Sequence, residues 1–119
     1  MKSTLVFGAS LKPHRISHQV VIKLRSKQIK TSAFGVEEGH IDGVQVITNL
    51  DNLQSAHTIS LYISPPNQAE YFDQILSLRP HRIIFNPGTE NPEFYKLLRA
   101  NDIEVEIGCT LTLLALDLY

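Results

Sequence analysis

The chain has 119 residues, 43% of them hydrophobic, with eleven Lys and Arg set against twelve Asp and Glu for a net charge of −1. That length holds one domain of roughly 100–150 residues, which can build a core without disulfides or a structural metal. The charge balance argues against a nucleic-acid binder and against a polybasic membrane signal, and the single cysteine rules out an internal disulfide.

Leu5-Val6-Phe7 is too short for the apolar part of a signal peptide, and no run approaches the ~18 apolar residues of a membrane helix. A cytoplasmic location, without membrane or nucleic-acid partners, is expected.

Thr4 to Phe7 is an apolar run that ends in Gly8-Ala9-Ser10. Continuous apolarity suits a central strand of a parallel sheet covered on both faces. The polar loop Leu11-Lys12-Pro13-His14-Arg15 leads to a helical pattern carrying Val20, Val21 and Leu24 on one face, with Ser17 as its expected N-cap. Thr31 to Val36 reads as the second strand and Glu37 to His40 as a turn. Val44 to Ile47 follows Asp42-Gly43 as a third strand, and Asp51 to Leu53 reads as a helical turn.

Thr58 to Ile63 is a strand running into Ser64-Pro65-Pro66-Asn67. Asn67 and Glu70 have the spacing of a capping box, opening a helix that Pro80 stops. Arg82 to Phe85 is the next strand, ended by Asn86-Pro87-Gly88. Asn91 and Pro92 then start a helix with Phe94, Leu97 and Leu98 inward, and Asn101 stands at its end, where Asn tolerates the left-handed conformation. Glu104 to Ile107 is the last strand, before Gly108-Cys109-Thr110 and an apolar tail.

Strands alternating with helices across short connections predict an α/β fold: one doubly wound, mostly parallel sheet of five or six strands with helices on both faces. Ligands of such sheets bind beyond the carboxyl ends of the strands. The candidate loops are therefore Gly8–Arg15, Val36–His40, Ser64–Asn67, Asn86–Thr89 and Gly108–Thr110. The first is the most informative. A turn of small residues followed by a helix N-terminus suits an anion, and Lys12, His14, Arg15 and His18 gather cationic or potentially cationic groups there. The competing reading is a capped turn with ordinary solvated charges. Neither the dinucleotide glycine fingerprint nor the nucleoside-triphosphate loop is present.

Other constellations are weaker. His14 and His18 have helical spacing but no carboxylate partner, which favours surface or phosphate-facing roles over a metal site. Cys109 is either a small buried hydrophobe or, if the last segment is helical, a thiol favoured as thiolate near a helix N-terminus. Leu113, Leu114, Leu116, Leu118 and Tyr119 serve equally to cover the sheet or to form a homodimer patch. No set of acid, base and nucleophile emerges, so no catalytic residue is assigned and binding is the simpler function.

Gly8-Ala9-Ser10 followed by Pro13, Arg15, Ser17 and Val20 resembles the opening of the small stand-alone CoA-binding proteins. These are single Rossmann-like domains similar to the CoA-binding part of succinyl-CoA synthetase. The resemblance continues through Ile41-x-Gly43, Leu53, Pro65, Asn86-Pro87-Gly88 and Gly108-Cys109-Thr110-Leu111, and so spans essentially the whole chain. It implies coenzyme A or a related adenine nucleotide lying across the strand ends. Gly8, Ala9 and Ser10 would offer backbone groups to the pyrophosphate, and Lys12, Arg15 and Ser17 would hold phosphate. Ser64 and Pro65 would line the crevice, Asn86, Pro87 and Gly88 its far wall, and Cys109 would meet the thiol end of pantetheine.

One departure stands at the end of the second strand, where relatives usually carry Val-Asn-Pro and this chain has Val36-Glu37-Glu38. Two carboxylates there would repel a 3′-phosphate, whereas an acidic residue at that point suits a free ribose diol. Alternatively both point to water. Two other functions compete with CoA binding: a small NAD(P)-binding redox enzyme or sensor, and a protein-interaction module that keeps the fold without a ligand.

Overall fold

A computed structural model describes residues 2–119. Its elements in chain order are β1 (Thr4–Phe7), α1 (Ile16–Ser26), β2 (Thr31–Phe34), β3 (Gly39–Ile41), β4 (Val44–Ile47), β5 (Thr58–Leu61), α2 (Phe72–Leu78), β6 (Arg82–Phe85), α3 (Pro92–Ala100), β7 (Glu104–Ile107) and α4 (Thr110–Ala115). Single 3₁₀ turns occupy Leu50–Asn52, Pro65–Asn67 and Ala69–Tyr71.

The strands form one sheet of seven in the order β3-β4-β2-β1-β5-β6-β7. Every pairing is parallel except β3 with β4. The chain leaves β1 toward β2 on one side and later returns through β5 on the other. A switch point therefore lies between β1 and β5, as in a doubly wound, Rossmann-like sheet.

Alternate residues of the buried strands serve different layers. Leu5, Phe7, Ile59, Leu61, Ile83 and Phe85 pack with α2 and α3 in an aromatic-rich core. Val6, Ala33 and Val46 pack with Val20, Val21 and Leu24 of α1 and Leu114 of α4. Apolar continuity in β1 and β6 is thus the mark of a strand covered twice.

The sheet exceeds the expected five or six strands because Gly39–Ile41, whose first two residues read from sequence as turn, pairs back on β4. Asp42 and Gly43 between them have φ of 48° and 82°, the left-handed pair of a tight two-residue hairpin turn.

Local starts and stops also differ. Arg15, not Ser17, holds the N-cap position of α1, and Ser17 is buried within its first turn. Asn67 and Glu70 fall in the two 3₁₀ turns ahead of α2, and Asn67 bonds Ser64 instead of capping a helix. Asn91 does cap α3, its side-chain oxygen accepting from the Phe94 amide. The left-handed residue after α3 is Asp102 at φ 60°, one position beyond Asn101.

Candidate functional site

A cleft of about 670 Å³ opens over the carboxyl ends of β1, β2, β5 and β6. Its walls are the β1–α1 loop, the chain after β2 from Phe34 to Glu37, Tyr62 and Ile63 after β5, Asn86 and Pro87 after β6, and Cys109 with Leu111 at the start of α4. The position is the one the strand order dictates.

The floor is knit by glycines and backbone hydrogen bonds. Gly8 has φ 102°, and a Cβ there would meet the Tyr62 carbonyl group and Ile63 within 3.0–3.2 Å. A Cβ on Gly35 would strike the Ala9 carbonyl oxygen. Both glycines let neighbouring loops touch. The Phe34 carbonyl accepts from the Gly8 amide at 2.9 Å and the Ala9 amide at 2.8 Å. The Ser10 amide donates to Ser17 Oγ at 3.1 Å. The His18 ring Nδ1 donates to the Ser10 carbonyl at 2.9 Å, and the Lys12 amide to Ser10 Oγ at 3.1 Å.

These contacts correct one expectation. The amides of Gly8, Ala9 and Ser10, read from sequence as pyrophosphate donors, are spent inside the protein. Free donors lie a few residues on. No side chain caps α1, no acidic residue stands in its first turn, and its opening amides at Ile16 and Ser17 border the cleft. Lys12, His14 and Arg15 are exposed on the same rim. Orphan amides, the positive helix end and the Lys12 and Arg15 cations are chemistry that suits an anion. Ser17, expected to touch phosphate, has its hydroxyl engaged with the Ser10 amide and shapes the loop.

On the far wall Asn86 is 1% exposed. Its Nδ2 donates to Ser60 Oγ and the Leu61 carbonyl at 3.0 and 2.9 Å, and its Oδ1 accepts from the Thr110 amide at 2.9 Å. Ser60 and Thr110 hydroxyls are 2.7 Å apart. Asn86 therefore fastens β5, β6 and the start of α4 together. Gln68, which sequence reasoning missed, performs the matching task between loops. Its Nε2 donates to the Ile63 and Thr89 carbonyls at 2.8 and 2.7 Å, while its Oε1 accepts from Asn91.

Cys109 occupies the N-cap position of α4 and is half-buried. Partial burial works to raise its thiol, but the polar groups of Thr112 and Leu111 in the first turn of α4 outweigh this, and the thiol lies below its ordinary value. Tyr62, beside it, has a buried hydroxyl without a partner among the described residues. Burial pushes that phenol well above its usual value.

Of the residues named from sequence, Gly8, Ala9, Ser10, Lys12, Arg15, Ser17, Val36, Asn86, Pro87 and Cys109 converge on the cleft. Ser64, Pro65 and Gly88 do not border it. Ser64 Oγ accepts from Asn67, Pro65 opens a 3₁₀ turn, and the Gly88 amide donates to Glu90. Their places are taken by Tyr62 and Ile63, the last residues of the predicted fourth-strand run Thr58–Ile63, which β5 has already released. Leu111, the last residue of the Gly108-Cys109-Thr110-Leu111 motif, also borders the cleft, as does Tyr71, which no local motif announced. Glu37 borders it and Glu38 does not. Among the described residues no three metal-ligating side chains cluster, and no helix is long and apolar enough to cross a membrane.

The family model of the CoA binding domain matches residues 2–115. A crystal structure of an uncharacterized protein is 38% identical, with 100% of this chain and 98% of that one covered and a TM-score of 0.95. A protein from Thermus thermophilus is 22% identical over 99% and 91% of the two chains, with a TM-score of 0.87. A hypothetical protein from Pyrococcus horikoshii OT3 is 20% identical over 93% and 80%, with a TM-score of 0.82. The last two establish likeness of fold. No curated protein matches.

Proposed function

This chain belongs to the CoA binding domain family, and from that premise we propose that it binds coenzyme A or a closely related adenine nucleotide in the cleft above β1 and β5, as a binding protein without catalysis of its own. The observation that carries the reading is the uncapped start of α1 facing a cleft with Lys12, His14 and Arg15 on its rim. A helix end without a cap keeps unsatisfied donors, and a diphosphate satisfies them while neutralising the cations.

The ligand's two arms then diverge. Tyr62, Pro87, Leu111 and the Cys109 thiol offer a mainly apolar path for pantetheine, ending at the Cys109 sulfur. The end of β2, from Gly35 to Glu37, receives the nucleoside. A cleft of about 670 Å³ lies within the roughly 300–1,000 Å³ usual for small-molecule sites.

Calorimetric titration of the purified protein with coenzyme A tests the reading. Saturable binding is expected, and Arg15→Ala should weaken it by roughly tenfold or more, the value of a charge-assisted phosphate contact. Arg15 is exposed, so the thermal midpoint should hardly move. An Arg15→Ala protein that binds normally, or a native protein indifferent to both coenzyme A and its dephospho form, overturns the assignment.

A further inference from the structure

Resting on the reading of the cleft just given, we infer that Glu37 selects an adenine nucleotide whose ribose carries a free diol, so that the preferred pantetheine ligand lacks the ribose 3′-phosphate. The cleft is electrically lopsided. Lys12, His14 and Arg15 stand together on the β1–α1 loop, whereas Glu37 is the only carboxylate among the residues that border it.

Glu37 lies three residues past the last residue of β2 and, among the described residues, joins no ion pair. Among the described residues no cation is paired with it. The neighbouring Glu38 does not border the cleft, which leaves one carboxylate on its lining.

Topology says what that carboxylate meets. With the diphosphate on the first turn of α1, the nucleoside arm of a ligand on a doubly wound sheet runs toward the carboxyl end of β2, and its ribose reaches the residues just beyond. A carboxylate there accepts hydrogen bonds from both hydroxyls of a diol. It repels a phosphate ester on the same ring, because a dianion and a carboxylate compete for the same donors. The basic groups stand on the neighbouring β1–α1 loop, whose Leu11 lies against Gly39, and in the proposed pose the diphosphate takes them up. A cleft built for a ribose phosphate would carry Arg or Lys at this strand end instead.

The test compares coenzyme A with dephospho-coenzyme A by calorimetric titration at physiological salt, on the native protein, Glu37→Gln and Glu37→Lys. On the native protein dephospho-coenzyme A should bind roughly tenfold more tightly or better. Glu37→Gln should narrow the gap, and Glu37→Lys should reverse it in favour of coenzyme A. Equal or tighter binding of coenzyme A by the native protein overturns this inference while leaving the proposed function standing. A preference for dephospho-coenzyme A that survives both substitutions overturns the role of Glu37. If neither compound binds the native protein, the proposed function itself fails.

Discussion

The Asn86 side chain spends both ends on the protein, donating to Ser60 and Leu61 and accepting from Thr110. Its presence on the cleft wall is therefore architectural: it fixes where Cys109 and Leu111 stand. Replacing it with Ala would leave the Thr110 amide and the Leu61 carbonyl buried and unpaired, and each such orphan costs about 1–3 kcal/mol. Asn86→Ala should accordingly lose roughly 2–4 kcal/mol of stability, read as a lowered urea midpoint. A loss under about 1 kcal/mol would mean that water replaces the network. Cys109 differs from Asn86 in keeping its sulfur uncommitted at the cleft, with a thiol pKa below its ordinary value.

Among the elements, α1 begins without the side-chain cap that its exposed start would ordinarily carry. Its N-cap residue is Arg15, in the extended conformation of a proper cap (φ −75°, ψ 141°), yet no side chain accepts from the first turn. A cation at that end also opposes the helix dipole. Arg15→Asp should correct both faults and stabilise the free protein by about 1 kcal/mol, while placing a negative charge where phosphate is proposed to sit and abolishing nucleotide binding. Paired thermal melts and titrations check it. An Asp variant that is less stable, or that still binds, would show that the helix start is not an anion seat. The last turn behaves conventionally: Lys23 and Arg25 lie where cations suit the dipole, and Lys27 forms a 2.7 Å ion pair with exposed Asp117.

At the scale of the whole molecule the two ends of the sheet have separate tasks. The carboxyl ends form the cleft. The amino ends hold a stacked pair of imidazoles, His57 and His81, with ring centroids 4.8 Å apart. Burial, followed by His81, Arg82 and Lys2, lowers the pKa of His57 below 6.5, against a weaker opposite pull from Glu104. The folded state thus takes up this proton less readily than the unfolded chain. Stability is unaffected by the group well above pH 6.5 and declines as pH falls below it toward the depressed folded value, where the unfolded chain binds more protons. Thermal midpoints should drop on mild acidification, and His57→Gln should flatten that slope without altering nucleotide affinity, since the substitution lies at the opposite edge. Equal slopes for the two proteins would remove His57 from the account.

What the sequence by itself determined is the layered α/β architecture, the strand-end loops and the basic helix start, because period, apolar continuity and turn chemistry are local properties. It showed β1, β6 and the Asn91 cap directly, and ten of the residues expected at the site converge on one cleft. Only tertiary structure decided how the loops spend their hydrogen-bonding groups. Whether the Gly8 and Ala9 amides are free depends on the Phe34 carbonyl, some twenty-six residues away in sequence and brought beside them by the β1–β2 pairing. The same holds for Asn86 and Gln68, whose partners sit on other loops, and for the choice of Glu37 over Glu38 at the cleft. A donor's partner is set by long-range register, and no local pattern of residues contains it.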